Sequence, residues 1–584
     1  MGRTERLGLA IERLFDELEA QKKASNWDRK LKCAGYMHHR DDYEGTTVPS
    51  TKTHDATAVE CLGTFMDGFV GYLMPQDDEW FKLMPRKRFS GGKADKEYGG
   101  FGALMDEDGV MELMDELTDV ALNELYASSF YDSAKMTATD GEVFGNGFIY
   151  VGDDPEGGCF YEEIDPQECV IAENSRKVMD VFLRKFRKSP IDIVRDYPDA
   201  TLEHCWERVR KGATPEIADV DIYEAILPND YLYDNETQER FSINGGDARK
   251  VSHIVWIPLE REIVKEGSFN EMPIFTYAPI RDNSKTPYGK GMVNKYIEEI
   301  VLLDKMINLK HVQFEKNVNP PTLVHQSLQG NYSTKAGAQI YTADLATQGA
   351  QPLFKEGASN NYGAMVQDIQ EQKDHIRQLM NADLFRTLMA STDSRKTAYE
   401  VSELKNEAVT LLSMKVGTFA HNVVEPIIKR TLKIKIRKGE INIPMGLKVE
   451  QACAFVDSCT VMLNSVFVRR LQGYLRYQGL VAGIQFIGAF AQFEQTQSAQ
   501  VLNMDAFLRS GLYGSGFPAY CIKDAKTLKK ERKEAEQMAQ QMAQAQMQEQ
   551  NAKSFSNMGR GMQAMQSAGV DVDQAMGGGY GQQQ

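Results

Sequence analysis

The stretch that most constrains how this chain can fold runs from Thr286 to Pro321. A turn sequence, Pro287-Tyr288-Gly289-Lys290-Gly291, leads into a helical period that has no breaker before Pro320-Pro321. About twenty-five helical residues would form a rod of about 40 Å. The proline pair ends it, because proline lacks an amide proton and disfavours a helical residue before it. The apolar positions at spacings of three and four include Val293, Ile297, Ile300, Val301 and Ile307. The spacing predicts a long helix with one apolar face.

Size and composition indicate a globular chain with several subdomains. The chain has 584 residues, of which 42% are hydrophobic and 26% charged, and one core rarely serves that length. No apolar run has the length of a membrane span, so no membrane partner is expected. The eight cysteines are scattered without the spacing of a zinc site, as in a reducing cytosol.

The net charge of −16 argues against a protein that grips DNA over a broad surface. Tight binding to the phosphate backbone needs a basic footprint. If DNA is a partner of this chain, we therefore expect the DNA to move past the protein without being bound tightly.

The motifs of catalysis and cofactor binding are missing. Gly289-Lys290 is followed by Gly291 and lacks the earlier glycine of a phosphate-binding loop. The Gly145-Asn146-Gly147 turn lacks the third glycine and the downstream acid of a dinucleotide site. His38-His39-Arg40-Asp41-Asp42 has metal-ligand residue types, but adjacent side chains point apart, which favours a solvated loop. We therefore predict no catalytic residue, no cofactor and no metal, and a protein that is not an enzyme.

Periodicity along the chain predicts an α+β fold that is mainly helical. Alternating patterns indicate strands within 159–186 and 219–280, and also at 429–438 and 454–463. The Ser189-Pro190 pair starts a further helix, interrupted at Pro198. A threonine with a glutamate three residues later starts the helix at Thr397, as in a capping box. The predicted helices are 4–24, 59–73, 110–130, 189–213, 288–316, 362–380, 397–432 and 464–493. The helix 397–432 is expected to be interrupted near Gly417 and Pro426.

The order of several of these motifs resembles the portal protein, or head-to-tail connector, of short-tailed bacteriophages (podoviruses). The family order is an extended segment, here at 272–275, then the tyrosine-glycine turn, the long helix, the proline pair and a short strand, here Thr322-Leu323-Val324. Asn319 stands where the family often has aspartate. The resemblance covers most of residues 5 to 535. Further similar features are the basic-aromatic segment near Trp27, the turn at 145–147, the helix start Thr397-Ala398-Tyr399-Glu400 and the turn Gly516-Phe517-Pro518.

The resemblance implies a portal-type subunit that forms a ring, usually of twelve copies, around an axial channel. It implies a tunnel loop at 383–396, where Arg386, Arg395 and Lys396 would contact DNA; composition alone favours an ordinary surface loop there. The implied parts are a wing at 1–188 and 317–463, stem helices at 189–213 and 288–316, a β-rich clip at 214–287, the long helix 397–432, a crown at 464–535, and a Gln/Met/Gly-rich tail at 536–584, partly disordered.

The implied function is mechanical. The ring would occupy one capsid vertex, dock the terminase large subunit, pass double-stranded DNA without sequence specificity, and later hold the tail. Its partners would be copies of itself, tail adaptor and tail tube proteins, and the major capsid and scaffolding proteins. It would be made in the host cytoplasm and end in the virion. The alternatives are a DNA-processing enzyme and another tail or internal virion protein.

Overall fold

The structure is a computed structural model. It describes residues 2–39, 53–85, 107–234, 240–318, 322–324, 350–352, 360–382, 413–441 and 448–465, with short gaps inside some ranges, and isolated positions beyond 537. The chain divides into two units, residues 1–471 and 472–584. All the helices and strands given below lie in the first unit.

Helices and antiparallel strands are mixed along the chain, so the prediction of a mixed fold with more helix than strand is confirmed. The helices are α1 Arg3–Ala24, α2 Trp27–Tyr36, α3 Thr57–Leu73, α4 Glu107–Ala127, α5 Phe130–Phe144, α6 Pro190–Asp196, α7 Glu203–Arg210, α8 Met292–Val318, α9 Asn360–Leu379, α10 Glu425–Lys438 and α11 Val449–Ser458. The strands are β1 Phe81–Pro85, β2 Gly147–Asp153, β3 Cys159–Ile164, β4 Cys169–Glu173, β5 Met179–Lys188, β6 Val220–Pro228, β7 Val251–Ile257, β8 Glu262–Phe269, β9 Ile274–Tyr277, β10 Ile280–Arg281, β11 Gly289–Lys290, β12 Thr322–Val324, β13 Ala350–Pro352 and β14 Cys459–Leu463.

Helix α8 is the long helix that the sequence predicts. Its predicted apolar face is buried in the largest core, including Val293, Ile297 and Ile307. The short strand expected after the prolines is β12, which pairs antiparallel with β13. No described helix combines the length and the apolarity that crossing a membrane requires.

A five-stranded antiparallel sheet, in the order β4-β5-β6-β7-β8, is covered on one face by α1. Leu7, Ile11 and Phe15 of α1 are buried against it, as their spacing predicts. Strands β4 and β5 come from the predicted wing, whereas β6, β7 and β8 come from the predicted clip. The β-rich segment 214–287 is therefore continuous with strands before residue 188 and does not form a sheet of its own.

The largest core surrounds α5 and the three-stranded sheet β3-β2-β9. Helices α2, α3, α4, α8, α9 and α10 contribute buried side chains to it. Strand β1 pairs with β14 along its whole length, from Phe81 opposite Leu463 to Pro85 opposite Cys459. The two halves of the predicted wing therefore meet through backbone hydrogen bonds.

Three predicted elements differ in the structure. The range 189–213 contains two short helices, α6 and α7, and not one stem helix. The predicted strand at 429–438 is wrong, because these residues belong to α10. Residues 454–458 belong to α11, so only the second half of the strand predicted at 454–463 is extended.

The helix predicted to end at 432 continues to Lys438, and residues 413–419 are also helical. A π-helical segment, Ala420–Val424, joins the two parts just before Pro426. Proline cannot donate to the carbonyl four residues earlier, and a wider turn relieves the clash of its ring with that carbonyl. The interruption expected near Pro426 is therefore a local widening, and the chain stays helical through it.

Several predictions lie outside the described residues. These are the loop 383–396, the first part of the helix 397–432 up to residue 412, the crown 464–535 except its first two residues, and the tail 536–584 apart from isolated positions.

Candidate functional site

Two glycine turns interlock at the base of α8, and we call this region the α8 junction (Glu142, Gly145, Asn146, Gly289 and Gly291). The Asn146 side chain bridges the turns: its Oδ1 accepts a hydrogen bond from Gly289 N at 2.8 Å, and its Nδ2 donates to the Pro287 carbonyl at 3.3 Å. The sequence suggests each turn separately. The structure shows that they bind each other across more than 140 residues of chain.

Two of these glycines are required by close backbone approach. Gly145 ends α5 with a φ of 89°, and a Cβ atom there would lie 2.1 Å from the Gly289 carbonyl oxygen. A Cβ atom at Gly291 would lie 2.0 Å from the Glu142 carbonyl oxygen. Any larger residue at either position would push the start of α8 away from α5.

The carboxylate of Glu142 connects three further groups at this junction. It is buried, with 1% of its surface exposed. One oxygen accepts the backbone N–H of Met292, the first residue of α8, at 2.8 Å. The other accepts from Lys415 Nζ at 2.6 Å and from the Tyr277 hydroxyl at 3.4 Å. Burial, and then the adjacent carboxylate, raise the pKa of Tyr277 well above its usual value.

The chemical role of this arrangement is to fix position. The Glu142 charge satisfies an N–H that the first turn of a helix leaves unpaired, and it lies at the positive end of the helix dipole. Lys415 belongs to the helical segment that follows the predicted tunnel loop. The junction therefore ties the start of α8 to α5, to β9 and to the chain that emerges after residue 412.

A second buried cluster lies beside the junction, around Trp27 of the basic-aromatic segment. Trp27 stacks on Phe144 with ring centroids 5.8 Å apart. Lys22 Nζ lies 4.0 Å from the centre of the Trp27 ring and donates to the carbonyls of Pro166, Gln167 and Cys169 at 2.7, 2.9 and 2.7 Å. Burial lowers the pKa of Lys22 to about 8. Sequence reasoning missed this internal role, because a lysine in an amphipathic helix normally faces solvent.

The histidine pair is not simply part of a solvated loop. His39 Nε2 lies 2.6 Å from Oδ1 of Asp140, which is fully buried in α5. The prediction of a solvated segment is therefore wrong for His39, and residues 40–42 lie outside the described part. Among the described residues, no group of three or more His, Cys, Asp and Glu side chains is arranged to hold a metal ion.

The basic segment in α10 is bound to acids of the same chain. Lys433 donates to Glu271 at 2.6 Å, and Lys435 pairs with Glu124 at 2.5 Å and with Glu440 at 2.6 Å. Other pairs join Arg430 to Glu271, Lys429 to Glu425, and Lys438 to Asp153. These ion pairs attach α10 to the core of its own chain. Because its cations are paired with acids, α10 offers little net positive charge to DNA.

The residues predicted to contact DNA, Arg386, Arg395 and Lys396, lie outside the described part of the chain. Helix α9 ends at Leu379, and the structure resumes at residue 413. Their role therefore remains a prediction that rests on the resemblance.

Comparison with known proteins adds one finding at the level of the whole chain. A family model described as bacteriophage head to tail connecting protein matches residues 10–519. A search of curated proteins found no match. The matched range includes α1 from residue 10 onwards, the α8 junction, the predicted wing except its first nine residues, and the loop 383–396.

Proposed function

Because this chain belongs to the family of bacteriophage head to tail connecting proteins, we propose that it is the portal of a short-tailed phage. Copies of the chain, twelve by analogy with portals, form a ring at one vertex of the capsid. Double-stranded DNA enters through the ring during packaging and leaves through it at ejection. The observation that carries this proposal is the family match over residues 10–519.

A mechanical role agrees with how the base of α8 is built. Buried ionic and backbone hydrogen bonds at Glu142 and Asn146 hold the helix to the core, and a rigid rod can transmit force without bending. Head-to-tail contacts between identical chains close into a ring when the rotation per subunit divides a circle. The family is one of structural connectors. In the proposed role, the ring holds the tail and lets DNA pass through its channel.

We also propose the docking partners that the resemblance implies. The terminase large subunit and later the tail adaptor would bind at 214–287, and the capsid and scaffolding proteins would contact the wing. Because β6, β7 and β8 share a sheet with β4 and β5, the docking surface would be limited to the loops and exposed strand faces of that segment. Charge reversals at its exposed acids should impair packaging or tail attachment while rings persist.

The loop 383–396 would line the channel. Arg386, Arg395 and Lys396 of each copy would form a sparse basic collar in an acidic protein of net charge −16. Contacts to phosphate carry no sequence information, and few contacts per copy are screened by salt. Replacing all three by serine should leave rings intact and reduce the packaged genome length or its retention. Variant phage with full, stably held genomes would remove this role.

Negative-stain microscopy of the purified protein tests the proposed function itself. We expect rings with a central hole. Compact single chains at micromolar concentration would argue for a different function within the virion.

A further inference from the structure

We draw no further inference here: the strongest candidate, the exposed apolar row of Leu302, Leu309 and Val312 on the second half of α8, carries none, because nothing in the part of the chain that the structure describes shows what covers it.

Discussion

Glu142 is the residue whose removal should most affect the α8 junction. Its carboxylate accepts three hydrogen bonds, from Met292 N, Lys415 Nζ and the Tyr277 hydroxyl. The change Glu142→Gln keeps the size of the side chain and removes its charge. It leaves Lys415, whose side chain is only 18% exposed, without its anionic partner.

The expected cost follows from the burial of both groups. Breaking a buried ion pair by removing one partner costs ~3–5 kcal/mol, because the other charge stays buried and unpaired. Lys415 keeps some contact with water and glutamine can still accept from Met292 N, so we expect ~2–3 kcal/mol for Glu142→Gln. Removing both partners, in E142Q/K415M, should cost less than the sum of the two single changes.

Urea unfolding of the wild type, E142Q, K415M and the double variant, followed by tryptophan fluorescence, measures these costs. The double-mutant cycle should give a coupling free energy of at least ~1.5 kcal/mol. The matched control is the exposed pair of Lys23 and Glu19, where the coupling should stay below ~1 kcal/mol. Additive costs at Glu142 and Lys415 would refute the argument that this buried pair holds the junction together.

The remaining predictions concern three other parts of the chain. The pKa of Lys22 is about 8 in the folded protein against the ordinary 10.5, so between these values the unfolded chain binds more protons and the free energy of unfolding should rise with pH. Its slope in that window should exceed that of Lys22→Met by up to ~1.4 kcal/mol per pH unit, and equal slopes would contradict this. Gly291→Ala should destabilise by more than ~1 kcal/mol because of the contact with the Glu142 carbonyl, whereas Gly63→Ala, at an exposed helical site with open space, should stabilise by ~0.5–1 kcal/mol; calorimetric melting compares them. Truncation before Asn551 should leave ring formation unchanged in mass photometry, because a segment rich in Gly, Gln and Ser has little apolar surface to bury.

The sequence predicted best the elements whose burial follows one simple period. Helix α8 has one apolar face and strong end signals, and its predicted bounds of 288–316 agree with Met292–Val318 to within about four residues. Helix α1 was predicted for the same reason. One-sided burial gives a period that local sequence reveals.

Helix α10 was mispredicted because it is buried on nearly every side. Leu432, Ile434 and Ile436 alternate with Lys433 and Lys435, which is the pattern of a strand. In the structure all five side chains are largely withdrawn from water, and the lysines are neutralised by Glu271 and Glu124. Those acids lie more than 150 residues away in the chain, so local periodicity could not reveal them.

The α8 junction was predictable only in its parts. Each glycine turn is visible in the sequence, but their contact through Asn146, and the meeting of Glu142 with Lys415, join segments far apart in the chain. A single sequence does not indicate which distant segments pair. The same limit explains why the continuity of β5 with β6 across residue 188 was not expected.

The mass of the purified protein in solution tests the central claim most directly. Mass photometry at rising concentration should show a closed species near twelve times the 65.7 kDa chain, with no open series beyond it. A single 65.7 kDa species that persists at micromolar concentration would contradict a ring-forming portal.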